Sequence, residues 1–83
     1  MEAVNKIAVI GIVVNSREDA AARVNDILSE FGDIIVGRMG VPYKEKGISV
    51  ISIIVDGSND KIGALSGRLG NLKGVKAKVA LLH

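Results

Sequence analysis

The sequence predicts an α+β fold of order β-α-β-β-α-β, on three observations. Two long β-branched apolar runs, Ile7–Val14 and Ile48–Val55, each precede a segment with helical spacing. Two less apolar strand-like stretches, one broken by glycines and one alternating with lysines, fill the remaining strand positions. The 83 residues leave room for one domain, read as spanning positions 1–83.

Taken in order, the run IAVIGIVV is too short for a membrane helix, which needs about 20 apolar residues, and too β-branched for a buried helix. Asn15 and Ser16 end it, and Ser16 stands where an N-cap belongs. Glu18 and Asp19 follow in the first turn, so the spacing predicts a helix beginning at Arg17. Ala20, Val24, Ile27, Leu28 and Phe31 recur on one face of it, and Gly32 is the expected left-handed stop. Asp33–Val41 mixes β-branched residues with two glycines and Arg38, which suits an edge strand with a kink or bulge, closed by Pro42. After YKEKG, the run Ile48–Val55 is apolar on both parities apart from Ser49 and Ser52. Residues 56–59 (DGSN) supply a turn and cap, and Ile62, Leu65, Leu69 and Leu72 form a second helical stripe. Gly74 precedes VKAKVALL, whose lysines alternate as on a half-exposed edge.

Right-handed crossovers place the first and third strands in the middle of a four-stranded antiparallel sheet with both helices on one face, a ferredoxin-like sandwich. The other face then stays open, yet either parity of the two central strands is apolar. One set is Ile10, Ile12, Val14, Ile51, Ile53 and Val55; the other is Ile7, Val9, Val13, Ile48, Val50 and Ile54. The first is taken as an oligomer interface, since soluble monomers rarely expose so large a patch. A second copy, a different protein or an apolar ligand could provide the cover.

Composition excludes several classes. The absence of cysteine removes disulfides, thiolate catalysis and the common zinc and iron-sulfur ligand sets. It also fits the cytoplasm. Eleven basic against nine acidic residues cannot make the basic patch that many phosphate contacts require, so direct nucleic-acid binding is not expected. No basic leader precedes the first apolar run, and the chain reads as soluble and unprocessed, with no membrane partner. The sole histidine, His83, is terminal, so no metal site, cofactor or catalytic base-nucleophile pair is expected, and the chain is read as non-enzymatic. Gly63, Gly67 and Gly70 lie along the second helix at a cost in propensity, explained by close packing of another backbone or by a ligand resting on the helix. They do not form a phosphate loop. Asn15, Ser16 and Arg17 at the first strand-to-helix corner, with Arg38, could ring a small carboxylate; their ordinary readings are a cap, solvated arginines and an edge-strand side chain facing water.

The stretch RMGVPYKEKGISVISIIVDGSNDKIGALSGRLGNLKGVKAKVALL, with IVVNSREDAAARVNDILSEFGDIIVGR upstream, resembles a small bacterial family of iron-only hydrogenase system regulators. The pairing of RMGVP with NDKIGALSGRLG carries the likeness. That family is similar to the ACT domain and to the C-terminal domain of the nickel-responsive repressor, ferredoxin-like folds that associate through sheets or edges. The resemblance implies an oligomeric regulatory module, a homodimer or homotetramer, which binds a small effector such as an amino acid and signals to a hydrogenase-system protein. By position, the ACT ligand site falls on Asn15, Ser16 and Arg17, with Arg38 or Gly40 from an adjacent strand. The repressor's metal ligands and DNA-binding arm have no counterparts here. The alternative implication is an accessory subunit for hydrogenase maturation that takes no small molecule.

Overall fold

A computed structural model describes residues 4–15 and 19–83. The elements are β1 (Lys6–Asn15), α1 (Ala21–Glu30), β2 (Ile35–Tyr43), a 3₁₀ turn (Lys44–Lys46), β3 (Ile48–Gly57), α2 (Asn59–Gly70) and β4 (Val75–Leu81). The four strands form one antiparallel sheet in the order β2-β3-β1-β4. The two long apolar runs are therefore central, and the arrangement is the ferredoxin-like α+β fold that the element order predicts.

Local chemistry sets most boundaries. Ser58 caps α2, its Oγ accepting from the Lys61 amide at 3.2 Å. Gly47 and Gly74 hold φ of 65° and 80°, the left-handed region, and turn the chain into β3 and β4. The β2–β3 register shifts between Ile35 and Gly37, which places the expected irregularity at Val36 on the edge strand.

Three boundaries differ from expectation. Helix α1 begins at Ala21, not Arg17, and its N-cap residue Ala20 makes no side-chain cap; the expected cap Ser16 and first helical residue Arg17 lie outside the described residues. Gly32 is not left-handed: α1 ends at Glu30, and the amides of Phe31 and Gly32 donate to the Ile27 and Ser29 carbonyls. Pro42 does not close β2, because an edge strand can carry a residue without an amide proton on its unpaired side. It stays in register with Ser49, and the strand runs on to Tyr43.

The core lies between the sheet and the helices. Ala8, Ile10, Ile12 and Val14 of β1 and Ile53 and Val55 of β3 are buried against Val24, Ile27 and Leu28 of α1 and Ile62, Leu65 and Leu69 of α2. Partly buried Ile51 packs on the same cluster. This corrects the interface assignment: Ile10, Ile12, Val14, Ile51, Ile53 and Val55 form the floor under the helices, not the open face. Directly paired residues of an antiparallel sheet share a face, so the open face is the other parity. It carries Ile7, Val9 and Val13 of β1, Ile48, Val50 and Ile54 of β3, and Met39, Val41 and Tyr43 of β2. On β4 the same face holds Lys76 and Lys78.

The helix glycines also depart from the close-packing expectation within the chain. A methyl built on Gly63, Gly67 or Gly70 would meet nothing within 4 Å, and all three are exposed.

A candidate ligand cavity beneath the first helix

Strand β2 turns Arg38, Gly40 and Pro42 toward the helix side, paired with Ile53, Ile51 and Ser49 of β3. Because β2 is an edge strand, α1 does not cover it completely. A cavity of about 210 Å³ remains between the two, lined by Val14, Ala21, Asn25, Arg38, Gly40, Val41, Pro42, Ser49 and Ile51. Its walls are mostly aliphatic.

Among the described residues that line the cavity, Arg38 is the one cation. The Arg38 Nη2 donates to Asn25 Oδ1 at 2.9 Å, a bond between two exposed side chains that links the edge strand to α1. A guanidinium carries five N–H donors, so most remain for another acceptor. No ion pair to Arg38 occurs among the described residues, whereas Lys61 pairs with Asp33 and Arg68 with Glu30. Hydrogen bonding to Arg68 holds the Glu30 carboxyl below its ordinary range, and Lys61 does the same for Asp33. Arg68 also lies 5.8 Å from the centre of the Phe31 ring.

The structure brings together two of the five expected ligand residues, Arg38 and Gly40. It places Asn15 elsewhere, in a separate cavity of about 290 Å³ with Val13, Ile48, Gly74, Val75 and Lys76. Ser16 and Arg17 lie outside the described residues. Sequence reasoning misses Asn25 and Ser49. Asn25 follows the core residue Val24 with nothing to distinguish it from a solvated helix position, and Ser49 reads only as an interruption of an apolar strand. Among the described residues no cluster of three or more His, Cys, Asp or Glu could hold a metal ion. No helix among them is long and apolar enough to cross a membrane.

A family model, TM1266-like, described as "Iron-only hydrogenase system regulator, putative", matches residues 6–79. The chain belongs to this family. The match runs from the start of β1 into β4, so it takes in both faces of the sheet and every residue of the cavity beneath α1. Among solved structures, the TM1266-like chain is similar to the uncharacterized protein TM1266 from Thermotoga maritima, at 38% identity and a TM-score of 0.92. That similarity covers 95% of this chain and 99% of the other. No curated protein matches.

Proposed function

We propose that this TM1266-like chain is a non-catalytic, ACT-like regulatory module of an iron-only hydrogenase system, acting in the cytoplasm as a homo-oligomer that binds a small effector. The observation that carries the reading is the apolar open face. Ile7, Met39, Val41, Tyr43, Val50 and Ile54 remain between 38% and 68% exposed there. At roughly 1.5–3 kcal/mol for burying each such side chain from full exposure, and with about half of each still exposed, six of them represent about 4–9 kcal/mol as an upper bound. A second copy is the favoured cover because the apolar rows run over β2, β3 and β1 with β3 in the middle. Two such faces stacked about an axis over β3 bury apolar rows against apolar rows, and leave Lys76 and Lys78 of β4 at the rim.

The effector belongs to the other side of the sheet, in the cavity holding Arg38 and Gly40. An amino acid is the ligand that the ACT resemblance suggests. Cover of one face and occupancy of the other are compatible, because the same strands carry both sets of side chains on opposite parities.

Light scattering and sedimentation test the association. The unmodified chain is expected at a multiple of its 8.7 kDa mass at micromolar concentration, and Ile54→Lys, which places a charge in the centre of the face, is expected to give monomers. A stable, soluble monomer of the unmodified chain would overturn the reading.

A further inference from the structure

We infer that the outer edge of β4 is a contact between copies of this chain, separate from the open face, in which Val79 lies across a two-fold axis from Val79 of a second copy and the two sheets run on as one. Backbone alternation opens the edge. Gly74 and Leu82, which flank β4, bond to Asn15 and Ile7 of β1 at 2.7 and 2.8 Å. Bonding along an antiparallel pair alternates by residue, so Lys76, Lys78 and Ala80 also turn their backbone groups in toward β1. Ala77, Val79 and Leu81 turn theirs out to the free edge. Their side chains are apolar and lie on the helix side of the sheet, paired with Ile12, Ile10 and Ala8. The helices bury those β1 residues fully but leave Val79 40% and Leu81 56% exposed.

The opposite edge of the sheet is blunted. Strand β2 carries Pro42, which has no amide to donate, and its register shifts between Ile35 and Gly37. On β4, Lys76 and Lys78 guard the first half of the strand, and no charged residue follows them before His83.

Charge and backbone geometry select the occupant and the register. With Val79 on the axis, Ala77 of each copy faces Leu81 of the other, and each of these pairs can exchange two N–H···O bonds. Lys78 then lies opposite Ala80 and Lys76 opposite Leu82, so no like charges meet. A step toward the N-terminus sets Lys78 opposite itself, and a further step sets it opposite Lys76; both are destabilising. A step toward the C-terminus pairs Ala77 with His83, whose amide and carbonyl are already bonded to Ile7. The strand is thus self-complementary in one register, which a second copy satisfies and an unrelated strand has no reason to match. A contact one strand wide is small beside the roughly 1,200–2,000 Å² of a stable interface. It should therefore form at high concentration and not hold Ile54→Lys subunits together at micromolar levels.

Amide hydrogen exchange of the full chain at about 1 mM, read residue by residue by nuclear magnetic resonance, tests the contact. In the unmodified chain the Ala77 and Leu81 amides are expected to exchange at least about 5-fold more slowly than in Val79→Lys, which sets two ammonium groups face to face on the axis. The Lys76 and Lys78 amides, bonded to β1, should exchange alike in both chains and so report that β4 remains folded. Val79→Thr, which keeps a β-branched side chain, should retain the protection. Ala77 and Leu81 exchanging as open amides in the unmodified chain would overturn the inference and leave this edge to a strand of another protein. Protection indifferent to Val79→Lys would overturn it as well. A subunit mass above the monomer with an open β4 edge removes this contact alone, and the open-face reading stands.

Discussion

Glycine-to-alanine substitutions at two places in this fold should have opposite signs. Gly63 and Gly67 sit inside α2, and a methyl on either meets nothing within 4 Å. Alanine there should recover the helix propensity that glycine forfeits, roughly 0.5–1 kcal/mol per site, or about 1–2 kcal/mol for the pair. For a domain of this size that corresponds to a rise of about 4–16 °C in melting temperature. Gly57, the last residue of β3, is a different case. Its φ is not in the left-handed region, so the backbone itself would accept a side chain. The obstacle is Ile34, whose Cγ2 and Cβ would lie 2.9 and 3.2 Å from the new methyl. Ile34 is buried, and its carbonyl accepts the Asp56 amide at 2.8 Å, so it has little freedom to move away. Overpacking of this kind costs about 1–3 kcal/mol. Calorimetric melting of the three variants at one fixed protein concentration measures both effects, since the proposed association would make the melting temperature depend on concentration. A loss of stability or of subunit mass in the Gly63→Ala, Gly67→Ala pair would refute the reasoning, because it would mean that another backbone lies against α2 in the assembly.

Acid should weaken the fold slightly through two surface pairs. Glu30 and Asp33 both have carboxyls lowered in the folded state by Arg68 and Lys61. Their contribution is therefore complete above the ordinary carboxylate range and is lost as pH falls below about 4 and through the lowered folded values. Melting followed from pH 6 to pH 3 should decline less steeply in Glu30→Gln than in the unmodified chain, and the difference should shrink in high salt. On β3, Ile53→Val should lower stability by about 0.5–1.5 kcal/mol without changing subunit mass, since Ile53 is fully buried beneath the helices. Denaturant unfolding and light scattering separate that outcome from an interface effect.

The order and pairing of the elements are legible in the sequence because each signal is local: β-branched runs, helical spacing, Ser58 before α2, Gly74 before β4. The parity of the central strands is not legible. Both β1 and β3 carry aliphatic residues at odd and even positions, so periodicity cannot tell the helix side from the open side. The information is present in β4, where Lys76 and Lys78 mark one face as solvent-facing. Using it needs the register that pairs Val13 with Lys76 and Gly11 with Lys78, and register is a tertiary property. The start of α1 fails for a related reason. A serine followed by two acids is a sound local cap, but the first residue placed in α1 is Ala21, after Ala20 is already buried in the core. Of the cavity, Arg38 and Gly40 are visible as oddities in an apolar strand. Asn25 is not, because its role comes from lying across from Arg38 and from no pattern within the helix.

The alternation that conceals the parity also bears on how such a module could work. Gly40 and Val41, Ile51 and Val50, and Val14 and Val13 are neighbours on three adjacent strands; one of each pair faces the core or the cavity, and the other faces the open side. A ligand held by Arg38 would therefore press on the same backbone that sets the shape of the proposed interface. Linkage makes the relation reciprocal: if effector binding strengthens association by some factor, association strengthens effector binding by the same factor. The tie between β2 and α1 through Arg38 and Asn25 is the contact in which the two would meet. A carboxylate that competes with Asn25 for the guanidinium would loosen that tie, whereas one that accepts from the remaining N–H groups would tighten it. The sign of the coupling thus rests on which guanidinium donors the ligand takes, and the interface contacts alone do not determine it.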